Sequence, residues 1–122
     1  MRIRLENGRI VTPQGVFDGA EVTVASGTIA ALAPLGGGAA GHTIDLDGGW
    51  LLPGFIDAQV NGGGGVLFND QTDVDAIAAI GAAHARFGTT AFLPTLISDT
   101  PDQIAAALDA VDAAIEQGVP GV

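Results

Sequence analysis

Over the first 52 residues apolar and polar positions alternate in short runs with a period of two, the pattern of β-strands with one buried face. Ile3 and Leu5 alternate with Arg2, Arg4 and Glu6, and Asn7-Gly8 is a tight-turn dipeptide after which Arg9-Ile10-Val11-Thr12 is expected to return antiparallel. Pro13-Gln14-Gly15 breaks the chain again. Glu21-Val22-Thr23-Val24-Ala25, the turn Ser26-Gly27 and Thr28-Ile29-Ala30-Ala31-Leu32 read as a hairpin. Gly36-Gly37-Gly38-Ala39-Ala40-Gly41 carries too little side chain to pack and reads as a mobile loop. Thr43-Ile44-Asp45-Leu46 and Trp50-Leu51-Leu52 are two further strands around the turn Asp47-Gly48-Gly49.

After Pro53 the grammar changes. A strand over 54–61 runs into the glycines 62–65. Thr72 reads as the N-cap of a helix with Asp73 and Asp75 in its first turn; Ile77, Ile80, His84 and Phe87 follow at helical spacing, and Gly88 stands where a C-terminal glycine belongs. Thr89–Ile97 is a β-branched and apolar run that Pro94, lacking an N–H, should terminate. Thr100-Pro101-Asp102-Gln103 has the form of a capping box with Pro at the first helical position. The apolar stripe Ile104, Leu108, Val111 and Ile115 predicts a second helix, which Gly118 ends. Val119–Val122 reads as the approach to a third strand. Strand–helix–strand–helix implies parallel strands, so the fold class is α/β, with residues 1–52 and 53–122 as two portions.

Composition narrows the chemistry. The chain has 122 residues, 48% of them hydrophobic, and a formal net charge of −10 from 14 acidic and 4 basic residues. Such an acidic chain is a poor partner for nucleic acid or an anionic membrane. It has no Cys, hence no disulfide, thiolate nucleophile or Cys-ligated zinc. That fits a cytoplasmic protein. It has no Lys, which excludes a Walker-type phosphate loop and Schiff-base chemistry within these residues; Arg2, Arg4, Arg9 and Arg86 are the four cations. The N-terminus lacks the apolar run of a signal peptide, and no stretch reaches transmembrane length.

The candidate chemistry sits on Phe55–Gly65. At period two Asp57, Gln59 and Asn61 share one face and Ile56, Ala58 and Val60 the other, so the apolar face should meet a core and the polar face lead into the glycine-rich loop. A strand that ends in converging polar groups and a permissive loop is a common α/β site. The competing reading is a half-exposed antiparallel strand with its polar side in water. Gln59, Asn61, Gly62 and Gly63 are the candidate substrate-binding or site-lining residues, with Asp57 one layer deeper and structural. The glycines offer backbone N–H groups to an anion or are simply a turn. Asn69 and Asp70 read as capping the following segment or lining the mouth of the site, loop capping being the favoured reading. His84, on an apolar stripe, reads as packed and hydrogen-bonded, and His42 as exposed.

The segment Leu52-Pro53-Gly54-Phe55-Ile56-Asp57 resembles the first barrel strand of the amidohydrolase superfamily, and the continuation Gln59–Asp70 resembles the N-acetylglucosamine-6-phosphate deacetylase family. Leu93-Pro94-Thr95-Leu96-Ile97 is similar to that family's second strand and Asn7–Thr12 to its opening hairpin, so the resemblance runs through the whole chain. It implies a TIM (β/α)8 barrel, of which 53–122 would be the first two βα units, preceded by part of a small β-sandwich, 1–52. It implies metal-assisted hydrolysis of the acetamide of N-acetylglucosamine 6-phosphate to glucosamine 6-phosphate and acetate. An aspartate would act as base and acid, and the complete enzyme would be a homodimer.

Two departures from the wider superfamily matter. Its paired His at the end of strand one is Gln59 and Asn61 here; neutral amides are poor zinc ligands, so the resemblance implies one divalent ion, zinc, per complete site. A complete barrel takes about 250 residues. The family's metal ligands and catalytic aspartate are therefore expected beyond Val122, with no catalytic or metal-ligating residue in this chain, which would be inactive by itself. The alternatives are another amidohydrolase, or a non-catalytic α/β module that binds a ligand or partner through the glycine loop.

Overall fold

The computed structural model describes residues 1–36 and 41–122, which divide into two units, Met1–Pro53 and Gly54–Val122. The first unit is built around the expected hairpin: β4 (Ala20–Ala25) and β5 (Thr28–Pro34) pair antiparallel. Ser26 and Gly27 both have positive φ, 52° and 79°, as a two-residue turn of this handedness requires. β4 continues the sheet onto β1 (Arg2–Glu6), and β1 onto β6 (His42–Asp45), in the order β5-β4-β1-β6. A second sheet has β2 (Arg9–Thr12) between β3 (Gly15–Phe17) and β7 (Trp50–Leu51). The sequence pattern did not indicate β3, a three-residue exposed strand.

The expected return of Arg9–Thr12 on Ile3–Leu5 does not occur, because β1 and β2 lie in different sheets. A two-residue hairpin of the favoured kind needs positive φ at both central residues. Asn7 has it (58°), whereas Gly8 is not among the positive-φ residues. The polar groups of this corner are satisfied by a second corner at 45–49 instead. Gly48 N–H donates to the Asn7 carbonyl (2.7 Å), Arg9 N–H to the Gly49 carbonyl (2.9 Å) and Asn7 Nδ2 to Asp45 Oδ1 (2.7 Å). Asp45 also accepts the Asp47 N–H. That bond first, and the Asn7 amide second, hold its carboxyl below the usual range. Gly8 must be glycine because a Cβ there would lie 2.7 Å from Leu46 Cδ1 and 2.8 Å from the Gly49 carbonyl oxygen.

Ile10, Ala20 and Val22 form the core of this unit, with Leu5, Val24 and Leu51 packed against it. An apolar cleft of about 380 Å³ opens beside it, lined by residues of both sheets, among them Val11, Ile29, Leu32 and Leu52. Glu21 is buried; its Oε2 accepts the Gly36 N–H at 3.1 Å and lies 3.8 Å from Arg4 Nε. The Arg9 guanidinium stands 5.1 Å from the centre of the exposed Trp50 ring. Of the glycine-rich loop expected over 36–41, residues 37–40 lie outside the described residues.

In the second unit β8 (Phe55–Val60) and β11 (Thr89–Pro94) pair in parallel, as two successive βα units require. β11 stops at Pro94, as expected. Helix α1 (Val74–Ala85) is capped by Asp73, not Thr72: the Asp73 carboxylate accepts the Ala76 N–H at 2.8 Å. Thr72 Oγ1 is instead bonded by Gln103 Nε2. Ile77 and Ile80 are fully buried, whereas Phe87, past the end of the helix, is exposed. Gly81 lets α1 approach β11, because a Cβ would meet the Phe92 ring at 2.7 Å.

Helix α2 (Pro101–Glu116) is capped by Thr100, which accepts the Gln103 N–H at 3.3 Å. The expected reciprocal bond from the Gln103 side chain does not form. Asp99 Oδ1 takes the Thr100 N–H (2.8 Å), and Gln103 Nε2 reaches the Asn69 carbonyl (2.9 Å). At the other end Val119 N–H donates to Ala114 O and Gly118 N–H to Ile115 O, with Gly118 at φ 69°, which is a Schellman ending.

The buried face of α2 is not the stripe of large residues. Ala107, Ala110 and Ala114 are inside; of the stripe Val111 packs against the core, while Ile104, Leu108 (64% exposed) and Ile115 face outward. The inner face is rotated by one residue, about 100°. Alanines allow the helix to come close to its neighbours in a core formed with Val60, Phe68, Ile77, Ile80 and Phe92. Fully burying each of these larger side chains stabilises by about 1.5–3 kcal/mol. At the chain's end Phe92 N–H donates to the Gly121 carbonyl (2.7 Å), and Val119 and Val122 join this core. Among the described residues no helix is long and apolar enough to cross a membrane.

Candidate functional site

The polar strand end is built by two backbone events. β8 stops after Val60, whose side chain is the one apolar anchor of the strand. The expectation that Ile56 and Ala58 share that burial is not met: both are exposed, Ile56 at 77%. The helices cover the far end of the strand, where Val60 meets Phe68 and Phe92, and leave its start uncovered.

The second event is a hairpin. Gly62–Gly63 (β9) and Val66–Leu67 (β10) pair antiparallel around Gly64 and Gly65, both at positive φ (62° and 85°). The glycine run is therefore an ordered two-strand turn and not an open loop. A Cβ on Gly62 would lie 2.4 Å from the Val66 carbonyl oxygen, and one on Gly63 2.9 Å from the His84 ring. Backbone of this closeness is available only to glycine.

Each predicted site residue has a definite place. Gln59 is exposed, and its N–H donates to Asp57 Oδ1 at 3.3 Å. Asn61 is half-buried; its Nδ2 donates to the Thr95 carbonyl (2.8 Å) and its own carbonyl accepts the Phe68 N–H (2.8 Å). Thr95 N–H donates to the Val60 carbonyl (2.8 Å). Asn61 is thus held against the end of β11, with its amide nitrogen committed and its orientation fixed. Gly62 and Gly63 follow directly in the hairpin. His84 is packed and bonded as expected: its Nε2 lies 3.0 Å from the Gly62 carbonyl oxygen. A carbonyl can only accept, so this nitrogen carries the proton.

A second cluster lies beside this one, built on Asn69, for which the sequence favours loop capping over lining the mouth of the site. Asn69 Nδ2 donates to the Ile97 carbonyl and to Asp99 Oδ2, both at 2.9 Å, and Asn69 Oδ1 accepts the Ile97 N–H at 2.9 Å. Asn69 therefore ties the segment after β10 to the segment after β11. The Asn69 amide first, and the Thr100 N–H second, lower the Asp99 carboxyl below its ordinary value. The legible signal was the Asp99-Thr100 pair before a helix; the long-range partner Asn69 had none. Among the described residues no three His, Cys, Asp or Glu side chains are grouped to hold a metal ion.

Comparison with known proteins is decisive here. The chain is 49% identical over 77 residues to an N-acetylgalactosamine-6-phosphate deacetylase of Shewanella sp. (strain ANA-3), covering 63% of this chain and 20% of that protein. It is 47% identical over 66 residues to an N-acetylglucosamine-6-phosphate deacetylase of Haemophilus influenzae, covering 54% of this chain and 17% of the relative. The crystal structure of N-acetylglucosamine-6-phosphate deacetylase from Pasteurella multocida superposes with a TM-score of 0.91 at 30% identity, over 96% of this chain and 31% of that one.

The chain is homologous to the N-terminal portion of N-acetylglucosamine-6-phosphate deacetylases.

That family is one of amidohydrolase enzymes. No protein-family profile matches the sequence. The chain spans a fifth or less of the curated relatives named and under a third of the superposed deacetylase. The superposition covers 96% of this chain, so it takes in residues of both units.

Proposed function

We propose that this chain is the N-terminal part of a metal-dependent hydrolase that removes the acetyl group of N-acetylglucosamine 6-phosphate, giving glucosamine 6-phosphate and acetate. The observation that carries this reading is the superposition with a deacetylase at TM-score 0.91 together with 30% identity across nearly the whole chain. In this reading Met1–Pro53 is part of a β-sandwich and Gly54–Val122 the first two βα units of a TIM barrel. The outward Ile104 and Leu108 line an apolar groove of about 360 Å³ with Pro94, Leu96 and Ile97, which a following βα unit would cover.

Gln59, Asn61, Gly62 and Gly63 would form one wall of the active site at the C-terminal ends of the strands, where barrel enzymes place their chemistry. Two neutral amides are poor ligands for a tightly held divalent ion beside imidazole. The fit is therefore to a site with one divalent ion, zinc, held by residues outside these 122. When bound, that ion would supply an activated water. The part of this chain is to orient: Asn61, fixed by Thr95 and Phe68, holds a polar side chain rigid beside the sugar, and Gln59 stays exposed to meet it.

N-acetylgalactosamine 6-phosphate is the second substrate reading, favoured by the 49% identity to a deacetylase named for that sugar. The test is acetate release by the whole enzyme from each of the two sugar phosphates, with and without a chelator. Chelator-sensitive release from N-acetylglucosamine 6-phosphate is expected; release from N-acetylgalactosamine 6-phosphate alone transfers the assignment to the second sugar, and no release from either overturns the function.

A further inference from the structure

We infer that His84 is a positioning residue for the site at the end of β8, an inference that rests on the deacetylase reading above. His84 lies near the end of α1 and turns a polar side chain onto the hairpin. Its Nε2–H donates to the Gly62 carbonyl at 3.0 Å, and the edge of the same ring occupies the space a Gly63 Cβ would need, 2.9 Å away. One side chain therefore fixes two consecutive residues, by a hydrogen bond to the first and by contact with the second.

The surrounding geometry closes the hairpin next to Asn61 on its other sides. Gly62 is closed on its other side by the Val66 carbonyl, 2.4 Å from where its Cβ would stand. Gly64 lies flat on α1, its Cβ position 3.3 Å from both the Ala79 carbonyl oxygen and Ala83 Cβ. The Asn61 carbonyl is bound by the Phe68 N–H and the Asn61 side chain by Thr95. The Gly62 carbonyl is the next group along the backbone, and His84 is its side-chain partner. Without that donor the Gly62 peptide can rotate, since two flanking glycines impose little resistance, and rotation there turns the backbone that carries Asn61. A half-buried carbonyl left without a donor also costs free energy, which favours such a rearrangement toward water.

The role is tested in the whole enzyme with wild type, His84→Leu and His84→Gln. Leucine fills the space without donating; glutamine places an amide nitrogen near the position of Nε2. Imidazole nitrogen NMR of wild type should show the Nε2–H tautomer, and the Nδ1–H tautomer overturns the inference whatever the activity. In acetate release, His84→Leu should lose about 10- to 100-fold in kcat/KM, the scale of a small misplacement in a site. His84→Gln should recover most of that loss, with both variants folded at the assay temperature. Wild-type kcat/KM in His84→Leu overturns the positioning role, as does a loss that glutamine fails to recover. Absence of acetate release by wild type removes the deacetylase reading and this role with it.

Discussion

Asn61 Nδ2 donates to the Thr95 main-chain carbonyl at 2.8 Å, a side-chain bond that joins the ends of two parallel strands 34 residues apart. The strands also meet through Thr95 N–H and the Val60 carbonyl. Asn61→Ala removes the donor and leaves the half-buried carbonyl unpaired, so urea denaturation should show a loss of about 1–3 kcal/mol. Asn61→Asp should lose more at neutral pH, because a carboxylate cannot donate and sets its charge against the carbonyl oxygen. A smaller loss for aspartate than for alanine contradicts this arrangement.

Asn69 and Asp99 give a pH signature. The Asn69 amide and the Thr100 N–H both favour the ionised Asp99 carboxyl and lower its pKa from the ordinary value of 3.8. Their contribution to stability is therefore present above that value and lost as the pH falls through the depressed folded pKa. Asn69→Ala should raise the Asp99 pKa in a carboxyl-carbon NMR titration. The variant should be less stable than wild type at neutral pH, and the gap should narrow in acid.

On α2 the fully buried Ala114 and the outward Leu108 give opposite expectations. Ala114→Leu overpacks the core and should cost about 1–3 kcal/mol. Leu108→Gln should change the stability of the 122-residue chain by less than about 0.5 kcal/mol, as a surface substitution does. Thermal denaturation of the two variants checks which face is inside.

This helix also shows where the sequence was legible. Its ends were: Thr100, Pro101 and Gly118 act through local backbone geometry that three or four residues determine. Its buried face was not, because an apolar stripe tells which residues could pack but not which the neighbours allow close. The same division holds at Asn7-Gly8. A turn was readable, but its hydrogen-bond partners, Asp45, Gly48 and Gly49, lie some forty residues away and send the chain into a second sheet. At the candidate site the polar alternation of Gln59 and Asn61 was visible in sequence. The partners that fix it, Thr95 and His84, become visible only when the parallel strands and α1 are in place.

Gly8→Ala tests the double corner. The added methyl would lie within 2.8 Å of the Gly49 carbonyl oxygen and closer still to Leu46. A loss of about 1–3 kcal/mol is expected from the forced backbone shift, and the Asn7 to Asp45 bond should weaken with it. The readout is a rise of the Asp45 carboxyl pKa toward its ordinary value, alongside a lower denaturation midpoint. Unchanged stability would show that the two corners are not packed as described.

The placement of the active-site wall is tested most directly by kcat/KM for acetate release in the whole enzyme carrying Gln59→Ala or Asn61→Ala, with the exposed Asp109→Ala as control. Each of the two wall variants is expected to fall by about 10- to 100-fold, the scale of lost substrate positioning, while the control matches wild type. Wild-type kcat/KM in both wall variants would contradict the account.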